Sequence, residues 1–185
     1  MTSFLPFARP ARLRPLLTLA LVPLLAACQG APRLPADHDL SGTISGEWRS
    51  GAKLRLNLVG AGFPQALTST SNLQQNVVQQ GDGWSFGVDL PALPAAAGAY
   101  QVIAFDDTNG NAKYDAGEPF ARNTQFLVFS VQPGQFPGFK YGDWLNIPPM
   151  QVSRGWNVYD TSLPAGAANP RPAEHLSSYD LQRKP

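Results

Sequence analysis

Trp84-Ser85-Phe86-Gly87-Val88-Asp89-Leu90 places an apolar side chain at every second position, with a small or polar residue between each pair. Successive side chains of a strand point to opposite faces, so Trp84, Phe86, Val88 and Leu90 would share one face and turn it toward a core. Gly81-Asp82-Gly83 just before it reads as a turn, and Val77 and Val78 predict the other strand of a hairpin. Lys53-Leu54-Arg55-Leu56-Asn57-Leu58 repeats the alternation with three leucines on one face. Residues 100–105 and 126–131 are more continuously apolar, the pattern of central strands covered on both sides. Residues 41–48 complete this set as a first strand. A second set is expected around residues 144–147, 150–153 and 155–159.

The 185 residues include 18 prolines and 17 glycines, and no 3.6-residue apolar period runs for a useful length. Many short strands divided by Gly and Pro turns predict an all-β chain, a β-sandwich or small barrel over residues 40–160. Residues 161–185, rich in Pro, Ala and Ser, are expected as an irregular C-terminal tail over the surface, with 177–181 a candidate edge strand. Glu174 and His175 lie there and are not offered as a catalytic pair. Most aromatics, the four tryptophans included, sit within or beside the strands, which is core behaviour first; an aromatic platform for a sugar is the alternative.

Asp107-Thr108-Asn109-Gly110-Asn111-Ala112-Lys113-Tyr114-Asp115-Ala116-Gly117-Glu118 carries the one constellation with chemistry in it. Oxygen-bearing side chains fall at positions one, three, five, nine and twelve: Asp107, Asn109, Asn111, Asp115 and Glu118. Lys113, at position seven, would offer its backbone carbonyl. This is the spacing of an EF-hand loop, in which the chain winds around the ion and alternate oxygens point inward. An all-oxygen set without Cys or His suits calcium and not zinc. The competing reading is a polar, Asx-rich hairpin loop without metal. The flanks exclude a helix–loop–helix, because residues 100–105 read as strand and Pro119 disfavours helical geometry at Glu118.

A loop of this form between two strands, entered from Gly98-Ala99-Tyr100, resembles those of transthyretin-like (prealbumin-like) modules of bacterial surface proteins. The resemblance covers about residues 40–131 and implies an Ig-like or transthyretin-like β-sandwich. It implies calcium ligation by Asp107, Asn109, Asn111, Lys113, Asp115 and Glu118. One position departs from the pattern: Ala112 stands sixth, where glycine normally makes the sharp turn at positive φ. Alanine there costs about 1 kcal/mol, so either affinity falls or the turn shifts to Gly110. The expected binding is weak, of the order of 10⁻⁴ to 10⁻³ M, and its role structural.

The N-terminus reads as an export signal over residues 1–27. Arg9, Arg12 and Arg14 give a basic start, and residues 16–26 form a mainly apolar stretch too short for a helix spanning roughly 30 Å of hydrocarbon. It ends in Leu25-Ala26-Ala27-Cys28, which resembles the lipobox of bacterial lipoproteins. That likeness implies a signal helix cleaved before Cys28, lipidation of the Cys28 thiol, and a membrane partner through the acyl chains. Gln29 after the cysteine resembles an outer-membrane address, which implies a cell-envelope location facing periplasm or exterior. Cys28 is the only cysteine, so no intramolecular disulfide is possible. Residues 28–39 then read as a tether, with His38 an exposed tether residue.

Loss of the three signal arginines lowers the 14 basic residues to 11 against 13 acidic ones, a net charge of −2. No basic patch dense enough for nucleic acid exists. Gly-x-Ser-x-Gly, His-Glu-x-x-His and phosphate-loop patterns are absent. The sequence therefore points to a non-catalytic envelope module first, with an envelope protein or glycan as candidate partner; a sugar- or peptide-binding lipoprotein is second and an enzyme last.

Overall fold

The longer strands named below carry alternating, β-branched or aromatic residues that suit an extended chain, and Gly or Pro stands at most of the breaks. The computed structural model describes residues 34–62, 66–94, 97–142, 145–166 and 168–184. The signal at 1–27, Cys28 and Trp144 lie outside the described residues. In chain order the strands are β1 (Leu40–Ser45), β2 (Leu54–Gly62), β3 (Ala66–Thr70), β4 (Gln75–Gln80), β5 (Gly83–Val88), β6 (Gly98–Asp106), β7 (Phe120–Arg122) and β8 (Gln125–Ser130). They continue as β9 (Gly134–Phe136), β10 (Phe139–Tyr141), β11 (Leu145–Ile147), β12 (Met150–Val152), β13 (Gly155–Asp160), β14 (Arg171–Pro172) and β15 (Leu181–Arg183). The chain is all-β: among the described residues the only helical piece is the 3-10 turn Pro35–Asp37. No described helix is long and apolar enough to cross a membrane.

Eleven strands form one mixed sheet that folds over into a β-sandwich. β6 is its branch point. Along one edge β2 pairs with all nine residues, Leu54 opposite Asp106 through Gly62 opposite Gly98. Along the other edge β8 pairs with residues 98–100 and β7 with residues 104–105. β8 leads on to β13 and β14; β7 leads through β15 to β1, β5 and β4. The predicted hairpin is β4–β5, with Gln80 opposite Gly83. Leu54, Leu56 and Leu58 of β2, Tyr100, Val102 and Ala104 of β6, and Phe86 and Val88 of β5 meet in the main core. A second core, with Ala99, Val128, Phe136, Leu145 and Ile147, lies where the small sheets β9–β12 and β10–β11 contribute to the outer face of β6 and β8.

Two gaps in the backbone ladders are filled by side chains. Residues 101–103 of β6 face the switch from β8 to β7, where no strand stands beside them. There the Tyr179 hydroxyl accepts from the Val102 N–H at 3.3 Å and donates to the Gln125 carbonyl at 3.0 Å. Gln101 donates through Nε2 to the Asn123 and Gln125 carbonyls. On β2, the Gln75 carboxamide accepts from the Leu56 N–H at 2.7 Å and donates to the Leu56 carbonyl at 3.2 Å, joining β4 to β2. Burial pushes the Tyr179 phenol far above its ordinary pKa, so it stays a neutral donor.

Two expectations are overturned. Residues 161–185 are not an irregular surface tail. Leu176, Tyr179 and Leu181 are buried in the main core, and β15 lies inside the sheet, parallel to β1 and antiparallel to β7. Composition misled because a short strand whose partners are distant needs only one or two apolar contacts of its own. His38 is not an exposed tether residue either: it is 5% exposed, its Nδ1 lies 3.0 Å from Asp89 Oδ1, and the turn before it packs on β5. Gly87 permits this approach, since a Cβ there would sit 2.3 Å from the Pro35 carbonyl oxygen. The folded domain thus begins within the expected 28–39 tether.

Tyr179→Phe removes the hydroxyl, leaving the buried Val102 N–H without its partner and the Gln125 carbonyl with the Gln101 carboxamide alone. It is expected to lower unfolding free energy by about 1–3 kcal/mol, read from the urea midpoint at unchanged m-value.

Candidate functional site

The loop 107–118 leaves the main sheet where β6 ends and returns as β7. Its base is sealed by the backbone: Asp106 N–H donates to the Pro119 carbonyl at 3.0 Å, and Asp107 N–H to the Lys53 carbonyl at 3.0 Å. Asp106 itself takes no part in the loop. Its buried carboxylate receives the Arg49 guanidinium through two nitrogens and the Lys53 N–H at 2.9 Å. The acid pair Asp106-Asp107 is therefore split, one member spent on holding β2 and its preceding turn, the other turned into the loop.

All six predicted ligands lie in one loop, and its turns have the required hand. Asp107 Oδ2 accepts from the Ala112 N–H at 3.1 Å, tying the first position to the sixth. Ala112 has φ 62° and Gly110 φ 73°, so the left-handed turn stays at position six despite its Cβ, with a second one at Gly110. Asn109 Oδ1 accepts from the Asn111 N–H, and Asn111 Oδ1 from the Lys113 N–H at 2.7 Å, two successive Asx turns that coil the chain. Glu118 closes the loop: Oε1 accepts from the Thr108 N–H and hydroxyl, and Oε2 from the Asp115 N–H at 3.0 Å.

The electrostatics leave negative charge uncompensated. Asp107 and Glu118 are 5% and 8% exposed, and neither makes an ion pair among the described residues. Asp107 Oδ1 is buried with no hydrogen-bond partner. Such an orphan carboxylate oxygen is costly in a protein interior, and a hard cation would satisfy it. Asp115 Oδ2 accepts from Asn109 Nδ2 at 2.8 Å and Asn111 Nδ2 at 2.7 Å. These two bonds hold its carboxyl below the usual carboxylate range, with slight opposition from desolvation and help from Lys113. Among the described residues no three His, Cys, Asp or Glu side chains gather closely enough to hold a metal by themselves. The candidate set here draws on two carboxamides and a backbone carbonyl as well, and the two amide nitrogens facing Asp115 would have to turn away to admit an ion.

Tyr114 went unremarked in the sequence, although an aromatic inside a polar loop was the available signal. Its ring meets Phe105 edge-on at 5.8 Å and Phe120 at 5.5 Å, anchoring the loop to the outer face of β6. Burial, then the nearby Glu118 charge, raises its phenol pKa. The aromatics elsewhere behave as core: Trp48, Trp84 and Trp156 are partly buried against the main cluster. Trp48 and Trp84 share one shallow pocket, but the Arg183 guanidinium lies over the Trp48 ring at 5.3 Å, occupying a face a sugar would stack on.

Glycine at position 112 would adopt φ 62° without the Cβ clash. Ala112→Gly is expected to stabilise the protein by about 1 kcal/mol, measured as a rise in the urea midpoint. Comparison with protein-family models, curated proteins and solved structures finds no match to this chain.

Proposed function

We propose that this chain is an exported lipoprotein, anchored through acylated Cys28, whose β-sandwich is stiffened by a calcium loop and serves as a non-catalytic module in envelope structure or interaction. The observation that carries the calcium half is the buried, partnerless Asp107 Oδ1 in a loop already coiled with a left-handed sixth residue. Asp107, Asn109, Asn111, Asp115 and Glu118 would hold the ion by side-chain oxygens and Lys113 by its carbonyl. Bound calcium would neutralise three carboxylates that have one lysine, Lys113, among them. The protein's own contribution is to keep those oxygens converged: Glu118 bridges both ends of the loop, Asp107 pins its middle, and Tyr114 fastens it to the sheet. The role is structural, since ordering a twelve-residue connection costs conformational entropy that ligation offsets. The anchor half rests on Leu25-Ala26-Ala27-Cys28 behind a basic, then apolar, start. No nucleic-acid partner is proposed.

The two halves fail independently. Calcium is expected to raise the thermal midpoint of the wild-type protein, with half-effect of the order of 10⁻⁴ to 10⁻³ M, and to sensitise terbium luminescence through Tyr114. Asp107→Ala should lose both responses; equal responses from the two proteins would remove calcium from the account. For the anchor, mass spectrometry of protein extracted from its own membranes should find a chain that starts at Cys28 and carries acyl groups. An unmodified chain that keeps its leader would end the lipoprotein reading.

A further inference from the structure

The outer face of β6 is covered at its two ends, and between them it floors a narrow groove. Tyr114 lies over Phe105 and Phe120 at one end, and the second core covers Ala99 at the other. Between them Val59 stands opposite Gln101, and Asn57 opposite Ile103, on the same face. This groove has a volume of about 150 Å³ and is lined by Val59, Ile103, Phe126, Leu145, Tyr114 and Phe120. Among the described residues its lining holds no carboxylate, and its single formal charge is Arg122. Arg122 is exposed, and its guanidinium has no hydrogen-bond or ion-pair partner among the described residues.

We propose that this groove binds a free fatty acid, its acyl chain on the apolar floor and its carboxylate on Arg122. A guanidinium presents two parallel N–H donors that match a carboxylate, and an apolar pocket with one placed polar group is the usual form of a small-ligand site. The backbone argues for an acyl chain over a peptide. β6 is paired along one edge by β2 and along the other by β8, Tyr179 and β7, so the floor is not a sheet edge to which an extended peptide could add as a strand. A peptide laid there would bury its own polar groups unpaired, whereas an acyl chain has none to lose. The inference does not depend on whether the loop holds calcium.

The test is photolabelling of the full-length chain in phosphatidylcholine nanodiscs, in calcium-containing buffer, with a diazirine-bearing fatty acid and the matching alkanol. The acid should label peptides containing Ile103 and Phe126, on the order of tenfold more than the alkanol. Arg122→Gln, a change at an exposed side chain, should abolish that preference while the alkanol signal stays; Phe126→Ala should lower both. Unlabelled fatty acid should displace the probe, with each added methylene improving competition roughly fourfold until the groove is filled. Label spread evenly along the chain, or equal labelling by acid and alkanol in the wild-type protein, would overturn the proposal. Displacement by a peptide with an aromatic C-terminus, but not by fatty acid, would assign the groove to a peptide instead.

Discussion

β6 is buried along all nine of its residues, so each N–H and C=O it carries must find a partner inside the protein. One edge meets this demand simply, through β2. The other edge is shared by two strands that diverge, and the space between them is bridged by the Tyr179 hydroxyl and the Gln101 carboxamide. The rest of the architecture follows from that division. The β8 branch builds the second core, and the β7 branch carries the sheet round to β15, β1, β5 and β4. Because Tyr179 comes from the last ten residues of the chain, the C-terminal segment is needed to satisfy a strand formed near its middle.

The acidic residues around the end of β6 are handled in different ways, and the difference separates scaffold from site. Asp106 is fully paired, by Arg49 and a backbone N–H, and fixes the geometry at the start of β2. Asp89 meets His38 and draws the N-terminal turn onto β5. Asp107 and Glu118 are buried too, yet accept only from uncharged N–H and O–H donors, and one Asp107 oxygen accepts from none. Partial satisfaction of buried carboxylates is the physical reason to propose an ion there and nowhere else in the described residues.

Position in the fold also joins the loop to the outer face of the sheet. Tyr114 is flanked by two candidate ligands, Lys113 and Asp115, and its ring forms one wall of the groove over Ile103. Order in the loop and the shape of the groove are therefore set by one side chain, although the chemistry of each is separate.

The alternation in residues 53–58 and 84–90 determined β2 and β5, and the continuous apolar run at 100–105 determined a strand covered on both faces, because side-chain period is a property of the local chain. The Asp/Asn spacing in 107–118 was legible for the same reason: coiling brings i, i+2 and i+4 together without help from distant residues. β3, β7, β9 and β10 were not legible, being short strands that owe their extension to a neighbour. Nor were the burial of His38, the Arg49–Asp106 pair, the inward turn of Tyr179 or the groove beside Arg122. Each depends on groups brought together from parts of the chain tens of residues apart, and only the folding of the sheet onto itself decides which polar groups there find a partner and which are left without one.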